Sequence, residues 1–211
     1  MLYKNSKHII DYHNSLKVIE FMKQSIHTQM NEICSLTQII HYALEASDVP
    51  GDIVELGCFQ GHVSKILSVI SPEKTVHVYD SFDGLPKSEL PIDGKYIPGI
   101  MATSVDSLVD NFNNDKIKLP VVHQGWFEHL GADDLPNQIS FALLDGDLHD
   151  STCISLNLVY NKMSPGGVII IDDYFHETWN GVKVATDNFF KDKPEQIKSV
   201  TGTHKVLIIK I

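Results

Sequence analysis

Val54-Glu55-Leu56-Gly57-Cys58-Phe59-Gln60-Gly61 is the stretch that decides the fold. Ile53 and Val54 are apolar and β-branched, as in a buried strand, and apolar residues recur at helical spacing after Gly61. The stretch therefore predicts a strand, a glycine turn and a helix, with Glu55 just before the turn. Because glycine has no Cβ, backbone N–H groups in such a turn can approach a bound ligand closely.

The next strand-like run, Val76-His77-Val78-Tyr79, ends at Asp80. An acidic side chain at this place in an open α/β sheet can accept hydrogen bonds from ribose hydroxyls. The middle glycine of the dinucleotide pattern G-x-G-x-x-G is missing here. An acidic residue ahead of the turn suits a cationic ligand, and S-adenosylmethionine carries an ammonium, a sulfonium and an adenosine. The spacing thus favours S-adenosylmethionine over a nicotinamide cofactor, with a turn that binds no ligand as the alternative.

Strand-like and helix-like runs alternate along most of the chain, which is typical of a mostly parallel sheet with helices on both faces. A tight turn over residues 200–204 makes the last strand antiparallel. We therefore predict an α/β fold with a seven-stranded sheet. The predicted strands are 52–56, 75–80, 119–123, 139–145, 167–172, 196–201 and 204–210, and the predicted helices are 29–46, 61–70, 103–112, 150–163 and 180–191.

A long segment rich in glycine and proline, residues 81–101, follows the second strand. Segments of this length in a compact domain are usually functional or disordered. This one leaves the sheet at the cofactor edge, so we expect a substrate lid, with a plain surface loop as the alternative.

Carboxylates follow two buried strands. Asp145 comes directly after the apolar run 139–144, and Asp172 and Asp173 come after 168–171. The carboxyl ends of adjacent parallel strands meet at one sheet edge, where open α/β sheets bind ligands. Crowded carboxylates repel one another, and a bound cation relieves that repulsion. Oxygen ligands favour Mg²⁺, with Ca²⁺ or Mn²⁺ as substitutes, whereas the alternative role for these aspartates is helix capping.

Two side chains near Asp145 could remove a proton from a substrate. Asp147 is close enough to share the site and is the natural general base. His149 is the rival base, or a contact to the substrate.

Composition narrows the class of protein. The chain has 211 residues and a net charge of −10, and all 17 basic residues are lysine. Without arginine, the preferred reader of phosphates and guanine, an acidic chain is a poor nucleic-acid binder. No run approaches the length of a membrane span. Three scattered cysteines fit reduced thiols, so we expect a cytoplasmic protein that binds neither nucleic acid nor membrane.

Taken together, the motifs resemble the macrocin O-methyltransferase family, metal-dependent sugar O-methyltransferases, over roughly residues 25–191. The combination of Y-D-S-F-x-G-L-P and L-D-G-D-L is the most specific part of the resemblance. The matching segments are 51–61, 79–86, 125–127, 144–148, 164–167 and 172–174 with Trp179, Gly181 and Ala185.

The resemblance implies a class I methyltransferase (Rossmann-like) fold, S-adenosylmethionine and Mg²⁺ as cofactors, and a sugar or glycoside acceptor. It implies an N-terminal helical arm or lid over residues 1–46, a methyltransferase domain over 47–211, and leaves self-association into a homo-oligomer open. By matching position, Asp147 is the base. The implied metal ligands are Asp145, Asp172 and Asp173. The implied cofactor contacts are Glu55, Gly57, Gly61, Asp80, Ser81, Gly125, Trp126 and Asp145.

The chain departs from the family where the acceptor would bind. His149 stands where the family usually has tyrosine, and residues 175–178 form a somewhat long insertion. Three other functions stay open: a catechol-type O-methyltransferase, a non-catalytic cofactor-binding module and, least favoured, a nicotinamide-dependent oxidoreductase. An aromatic acceptor would want an aromatic slot, for which Tyr96, Trp126, Tyr174 and Trp179 are candidates.

Overall fold

The computed structural model describes residues 30–177 and 179–211, so residues 1–29 of the arm predicted over residues 1–46 lie outside the described residues. The strands are β1 (Asp52–Leu56), β2 (Val76–Asp80), β3 (Val121–Gln124), β4 (Ile139–Leu144), β5 (Met163–Ile171), β6 (Lys198–Ser199) and β7 (Val206–Ile209). The helices are α1 (Met30–Glu45), α2 (His62–Ile70), α3 (Val105–Asn114), α4 (His149–Val159) and α5 (Gly181–Phe190).

Within the described residues, the seven strands form one sheet in the order β3-β2-β1-β4-β5-β7-β6. The first five strands in this order run parallel to one another, whereas β7 runs antiparallel to both β5 and β6. The chain order reverses between β1 and β4, and open α/β sheets bind ligands beside such a reversal. The predicted fold class, including the antiparallel last strand, is confirmed.

The central strands are apolar on both faces because helices cover both sides of the sheet. One face packs alternate residues such as Ile53 and Phe141 against α1, α2 and α3. The opposite face packs Val54 and Ala142 against α4 and α5. This alternation follows from the two-residue period of a strand. Among the described residues, no helix combines the length and the apolar character needed to cross a membrane.

The region between α4 and β5 differs from the prediction. The predicted helix 150–163 ends at Val159, and β5 begins at Met163 rather than at residue 167. The pairing of β4 with β5 jumps from Ile139–Met163 to Phe141–Val168, which inserts a bulge that the Pro-Gly-Gly sequence of 165–167 accommodates. The division predicted between residues 46 and 47 stays a prediction, although α1 packs onto the core of the sheet domain.

Candidate active site

Backbone hydrogen bonds just beyond the central strands hold their carboxyl ends side by side. The backbone N–H groups of Gly57, Asp145 and Asp172 donate to carbonyls of the neighbouring strands, at 2.8, 2.8 and 2.9 Å. Each of these residues directly follows its strand, so the ladder continues past the strand ends. The glycine turn and both acidic segments therefore meet at one edge, as the strand pattern predicts.

Gly57 allows the closest contact at this edge. Its φ is +90°, and a Cβ built on it would lie 1.9 Å from the carbonyl oxygen of Asp145. A side chain at this position would push the turn after β1 away from the end of β4. Gly61, at φ +75°, precedes α2 and packs against the Leu108 side chain of α3 instead.

Asp80 ties the end of β2 to the glycine turn. Its Oδ2 accepts hydrogen bonds from the N–H groups of Cys58 and Phe59, at 3.0 and 2.8 Å, and its Oδ1 accepts one from Phe82 N–H at 2.8 Å. Phe59 and Phe82 are both non-glycine residues with positive φ, at 48° and 60°. Asp80 thus stabilises two strained turns, and one lone pair of Oδ1 is left for a ligand hydroxyl.

The side chain of Glu55 is buried beneath the turn rather than on the side that a ligand would face. It is 2% exposed and accepts a hydrogen bond from the Ser64 hydroxyl of α2. Burial, and to a smaller extent the negative charge of Asp80, raises its pKa to about 8, although the Ser64 hydrogen bond opposes that rise. Glu55 is therefore mostly protonated at neutral pH in the absence of a ligand.

An open cleft lies over this edge of the sheet. Seven of the predicted site residues line it: Gly57, Asp80, Ser81, Gly125, Trp126, Asp145 and Asp147. The remaining predicted residues lie outside its lining: Glu55, Gly61, His149, Asp172 and Asp173. Phe59, Phe127 and Ile154, which were not among the predicted site residues, add apolar surface to the cleft.

The segment 81–101 forms one wall of the cleft. Leu85, Pro86 and Met101 line it from the two ends of the segment. The middle of the segment is anchored by Asp93, which is 1% exposed. Asp93 accepts hydrogen bonds from the backbone N–H of His149 and from the Ser88 hydroxyl, at 2.8 and 2.5 Å. The segment contributes to the cleft as expected, whereas opening as a lid stays a prediction.

His149 occupies the N-terminus of α4. While its backbone N–H is held by Asp93, its Nδ1 lies 2.7 Å from Asp150 Oδ1. The ring thus pairs with Asp150 on its own helix, and its Nε2 lies 3.9 Å from Cys153 Sγ on the same helix.

Asp145, Asp147 and Asp173 form an acidic cluster, each with a carboxylate oxygen within 4.8 Å of the others. Asp147 and Asp173 adopt positive φ angles of 58° and 55°. Such strain in non-glycine residues is concentrated at functional sites. Three carboxylates with converging oxygens, held in place by strained turns, fit a hard divalent cation such as Mg²⁺.

The electrostatics of the acidic cluster support the same conclusion. Desolvation, together with the charges of the neighbouring aspartates, raises the pKa of Asp145 and of Asp173. The pKa of Asp147 rises to about 8, through desolvation first and then through the charge of Asp173 and a hydrogen bond shared with it. Without a cation, the cluster therefore retains protons near neutral pH, which a cation would displace.

Asp172 is placed differently from the other acidic residues. Its Oδ2 forms an ion pair with the Lys205 ammonium, and its Oδ1 accepts the N–H of Asp173 at 2.8 Å. Burial alone would lower the pKa of Lys205, but the carboxylates of Asp172 and Asp145 outweigh it and raise that pKa. The sequence motifs missed Lys205, although the antiparallel register of β5 and β7 pairs Ile171 with Val206 and so brings the preceding lysine beside Asp172.

Comparison with known proteins identifies the relatives of this chain. Residues 28–202 match the family described as macrocin O-methyltransferase (TylF). The chain is similar to 8-demethyl-8-(2,3-dimethoxy-alpha-L-rhamnosyl)-tetracenomycin-C 4'-O-methyltransferase of Streptomyces olivaceus, with 32% identity over 158 residues, 64% of this chain. It is also similar to demethyldecarbamoylnovobiocin O-methyltransferase of Streptomyces niveus, with 32% identity over 146 residues, 61% of this chain. The matched regions span 58% and 54% of these two relatives.

The fold has a counterpart among solved structures. The O-methyltransferase NovP superposes with a TM-score of 0.80 at 22% identity, covering 93% of this chain and 99% of NovP. At that identity, the match concerns the fold alone.

Proposed function

The chain belongs to the macrocin O-methyltransferase family, and on this basis we propose that it transfers a methyl group from S-adenosylmethionine to a hydroxyl of a sugar or glycosylated small molecule. The observation that carries the proposal is the contact between the glycine turn and Asp145, which joins the cofactor side of the cleft to the acidic cluster. A donor bound at the turn would face the group that activates the acceptor.

The cofactor side of the cleft suits an adenosine-containing ligand. Asp80, at the end of β2, would accept a ribose hydroxyl through the free lone pair of Oδ1. Trp126 adds an aromatic surface, and Ser81 and Gly125 complete this part of the lining. When bound, S-adenosylmethionine supplies an electrophilic methyl carbon on a positively charged sulfur.

The acidic cluster would hold a divalent cation through Asp145, Asp173 and one oxygen of Asp147, and Asp172, whose Oδ1 accepts only the N–H of Asp173 among the described residues, stays a proposed further ligand. When bound, Mg²⁺ lowers the pKa of a nearby hydroxyl and offsets the negative charge of the site. Asp147 lines the cleft, so its carboxylate can reach both the cluster and an acceptor. We assign Asp147 as the general base that would take the hydroxyl proton while the acceptor oxygen gains the methyl group, the carbon–sulfur bond of the donor breaks and S-adenosylhomocysteine leaves.

Aromatic side chains beside the cluster would receive the acceptor. The rings of His176 and Trp179, which follow Asp173 in the chain, lie 5.0 Å apart between centroids. Tyr96 of the 81–101 segment reaches Trp179, with 5.9 Å between ring centroids. Aromatic rings pack against the C–H face of a sugar, so we propose that these three contact the acceptor. The name of the Streptomyces olivaceus relative describes methylation of a rhamnosyl-tetracenomycin, which supports the same acceptor class.

Mass spectrometry with a panel of acceptors tests the proposal. The purified chain is incubated with methyl-labelled S-adenosylmethionine, Mg²⁺ and free, nucleotide-linked or aglycone-linked sugars, with a catechol as the aromatic comparison. We expect the label in a methyl ether on a sugar ring. Labelling of the catechol alone would favour the aromatic alternative, and binding of the cofactor without any transfer would favour a non-catalytic module.

A further inference from the structure

Asp93 connects the cleft wall (residues 81–101) to the N-termini of two helices. Its Oδ1 accepts the backbone N–H of His149, the first residue of α4, at 2.8 Å. The same oxygen faces Gly181, the first residue of α5, where an added Cβ would lie 1.9 Å from it. The partial positive charge of a helix N-terminus stabilises a carboxylate at such a position. Asp93 therefore joins three segments that are far apart in the chain.

Both helices receive this carboxylate from outside their own sequence. Within the described residues, the N-cap residues Leu148 and Asn180 make no side-chain hydrogen bond to the helices that follow them. The first N–H groups of a helix also have no partner inside it. Asp93, which is 1% exposed, satisfies one of these groups in α4 from a position 56 residues earlier in the chain. Loss of the carboxylate would release the start of α4 as well as the wall.

The two helix starts follow the segments that carry the acidic cluster. Helix α4 begins two residues after Asp147, and α5 begins eight residues after Asp173. The wall is closed at its base, because the N–H of Leu85 donates to the carbonyl of Ile100 at 2.9 Å. Asp93 thus lies where the middle of a closed loop meets both acidic segments.

Resting on the proposed function, we propose that Asp93 is a positioning residue that fixes the cleft wall to the acidic segments and so aligns an acceptor on this wall with the acidic cluster. Leu85, Pro86 and Met101 give the wall its surface in the cleft, whereas Asp93 lies outside the lining and acts through them. Because the loop is closed at its base, release of Asp93 would move these side chains together relative to the cluster.

Hydrogen–deuterium exchange measured by mass spectrometry tests this link without cofactor or acceptor. Asp93→Ala should speed exchange in the wall and at the starts of α4 and α5 by about tenfold, because a hydrogen bond to a charged group contributes roughly that factor. Asp93→Asn keeps an oxygen for the N–H of His149 and should restore most of the protection. Glu195→Ala is the matched control, since Glu195 is another buried carboxylate, binds Lys210 and lies outside the lining of the cleft. It should leave exchange in these three places unchanged.

Gly181→Ala acts on the same contact from the other side. Its methyl group would collide with Asp93 Oδ1 and lie 2.9 Å from the backbone nitrogen of His149. It should displace the carboxylate and give the exchange pattern of Asp93→Ala, whereas in the Asp93→Ala background it should add little. Equal effects in both backgrounds would mean that the two residues act independently and would contradict the shared contact. Gly181→Ala and Asp93→Asn also carry the test if Asp93→Ala does not fold.

Steady-state kinetics with an acceptor labelled in the panel tests the alignment. Asp93→Ala should raise the KM for the acceptor by about tenfold, in line with the lost hydrogen bond, while the affinity for S-adenosylhomocysteine stays unchanged. Asp93→Asn should recover most of the loss, and Glu195→Ala should keep the natural KM. A lower kcat at unchanged KM in Asp93→Ala would mean only that fewer molecules are folded, and it would overturn the alignment.

The exchange data decide the link even if the proposed function fails. Faster exchange confined to the wall, with the starts of α4 and α5 unchanged, would show that Asp93 supports its own loop alone and would overturn the inference. A panel without any methylated acceptor would refute the proposed function instead, so the two failures are distinguishable.

Discussion

Replacing the buried Glu55 with glutamine should stabilise the protein at alkaline pH. The substitution keeps the shape of the side chain and an oxygen for the Ser64 hydrogen bond, but it removes the ionisable group. A rise in the pKa of Glu55 from 4.5 to about 8 corresponds to roughly 5 kcal/mol at about 1.4 kcal/mol per pH unit. Since the folded protein binds this proton more tightly than the unfolded chain, Glu55 makes stability fall as the pH rises from 4.5 to about 8.

Urea unfolding of both proteins between pH 5 and pH 9 measures the effect. The difference in unfolding free energy should be small at pH 5 and should grow in favour of Glu55→Gln until about pH 8, where it levels off. The raised pKa values of Asp145 and Asp147 affect both proteins equally, so the difference isolates Glu55. A flat difference over this range would refute the assignment of a protonated, buried glutamic acid.

Glu195 provides the matched control of opposite sign. Its hydrogen bonds with Lys210 and Tyr160 outweigh desolvation and lower its pKa to about 2. Its contribution to stability is therefore present above pH 4.5 and is lost only as the pH falls toward 2. Glu195→Gln should destabilise the protein by a constant amount between pH 5 and pH 9.

Three further perturbations address the site. Asp80→Ala should weaken S-adenosylmethionine binding by about 2–4 kcal/mol in calorimetry, because the variant loses a charge-assisted contact and the hydrogen bonds that hold the turn. An unchanged affinity would exclude Asp80 as a ribose ligand. Gly57→Ala should destabilise the protein by about 3 kcal/mol or more, since its Cβ would collide with the Asp145 backbone. Gly131→Ala is the control and should leave stability nearly unchanged, because its Cβ would meet only an Asp134 oxygen at 3.7 Å. Equal melting temperatures for the two variants would contradict the predicted collision at Gly57. EDTA should abolish methyl transfer and Mg²⁺ should restore it, whereas full activity in a rigorously metal-free preparation would leave the carboxylates without a cation.

The sheet and its carboxyl edge were predictable because two local rules reinforce each other. Apolar runs such as 139–144 indicate strands buried on both faces, and parallel pairing brings their ends together. Gly57 and Asp145 therefore had to meet, and the structure places them in backbone contact. The hairpin turn around Gly202 likewise indicated the antiparallel last strand.

The partners of individual side chains were not predictable from such patterns. The motifs place Asp172 and Asp173 together, but only the register of β7 shows that Lys205 contacts the first of them. Asp93 lies in an irregular segment, where no periodicity marks it as the buried anchor of His149. The bulge in β5 was not predicted because a Pro-Gly-Gly sequence is typical of a loop, although the strand continues through it.

The acidic cluster also shows what motif spacing can and cannot assign. Asp145 and Asp147 follow a single strand, so their proximity was expected from the sequence. Which oxygens converge depends on the strained φ angles of Asp147 and Asp173, and nothing in the sequence specifies these. The roles of ligand and base within the cluster stay predictions.

Single-turnover kinetics of Asp147→Asn tests most directly whether the acidic residues beside the cofactor cleft carry the chemistry. The reaction is run with saturating Mg²⁺, labelled S-adenosylmethionine and an acceptor taken from the panel, and cofactor affinity is measured in parallel. We predict that methyl transfer slows by about 10²–10⁴-fold while the affinity for S-adenosylmethionine stays near that of the natural protein, because the amide keeps the shape of the site but cannot take the proton. His149→Phe, outside the lining of the cleft, should transfer methyl at close to the natural rate. An active Asp147→Asn variant alongside an inactive His149→Phe variant would contradict the account and move the base to His149.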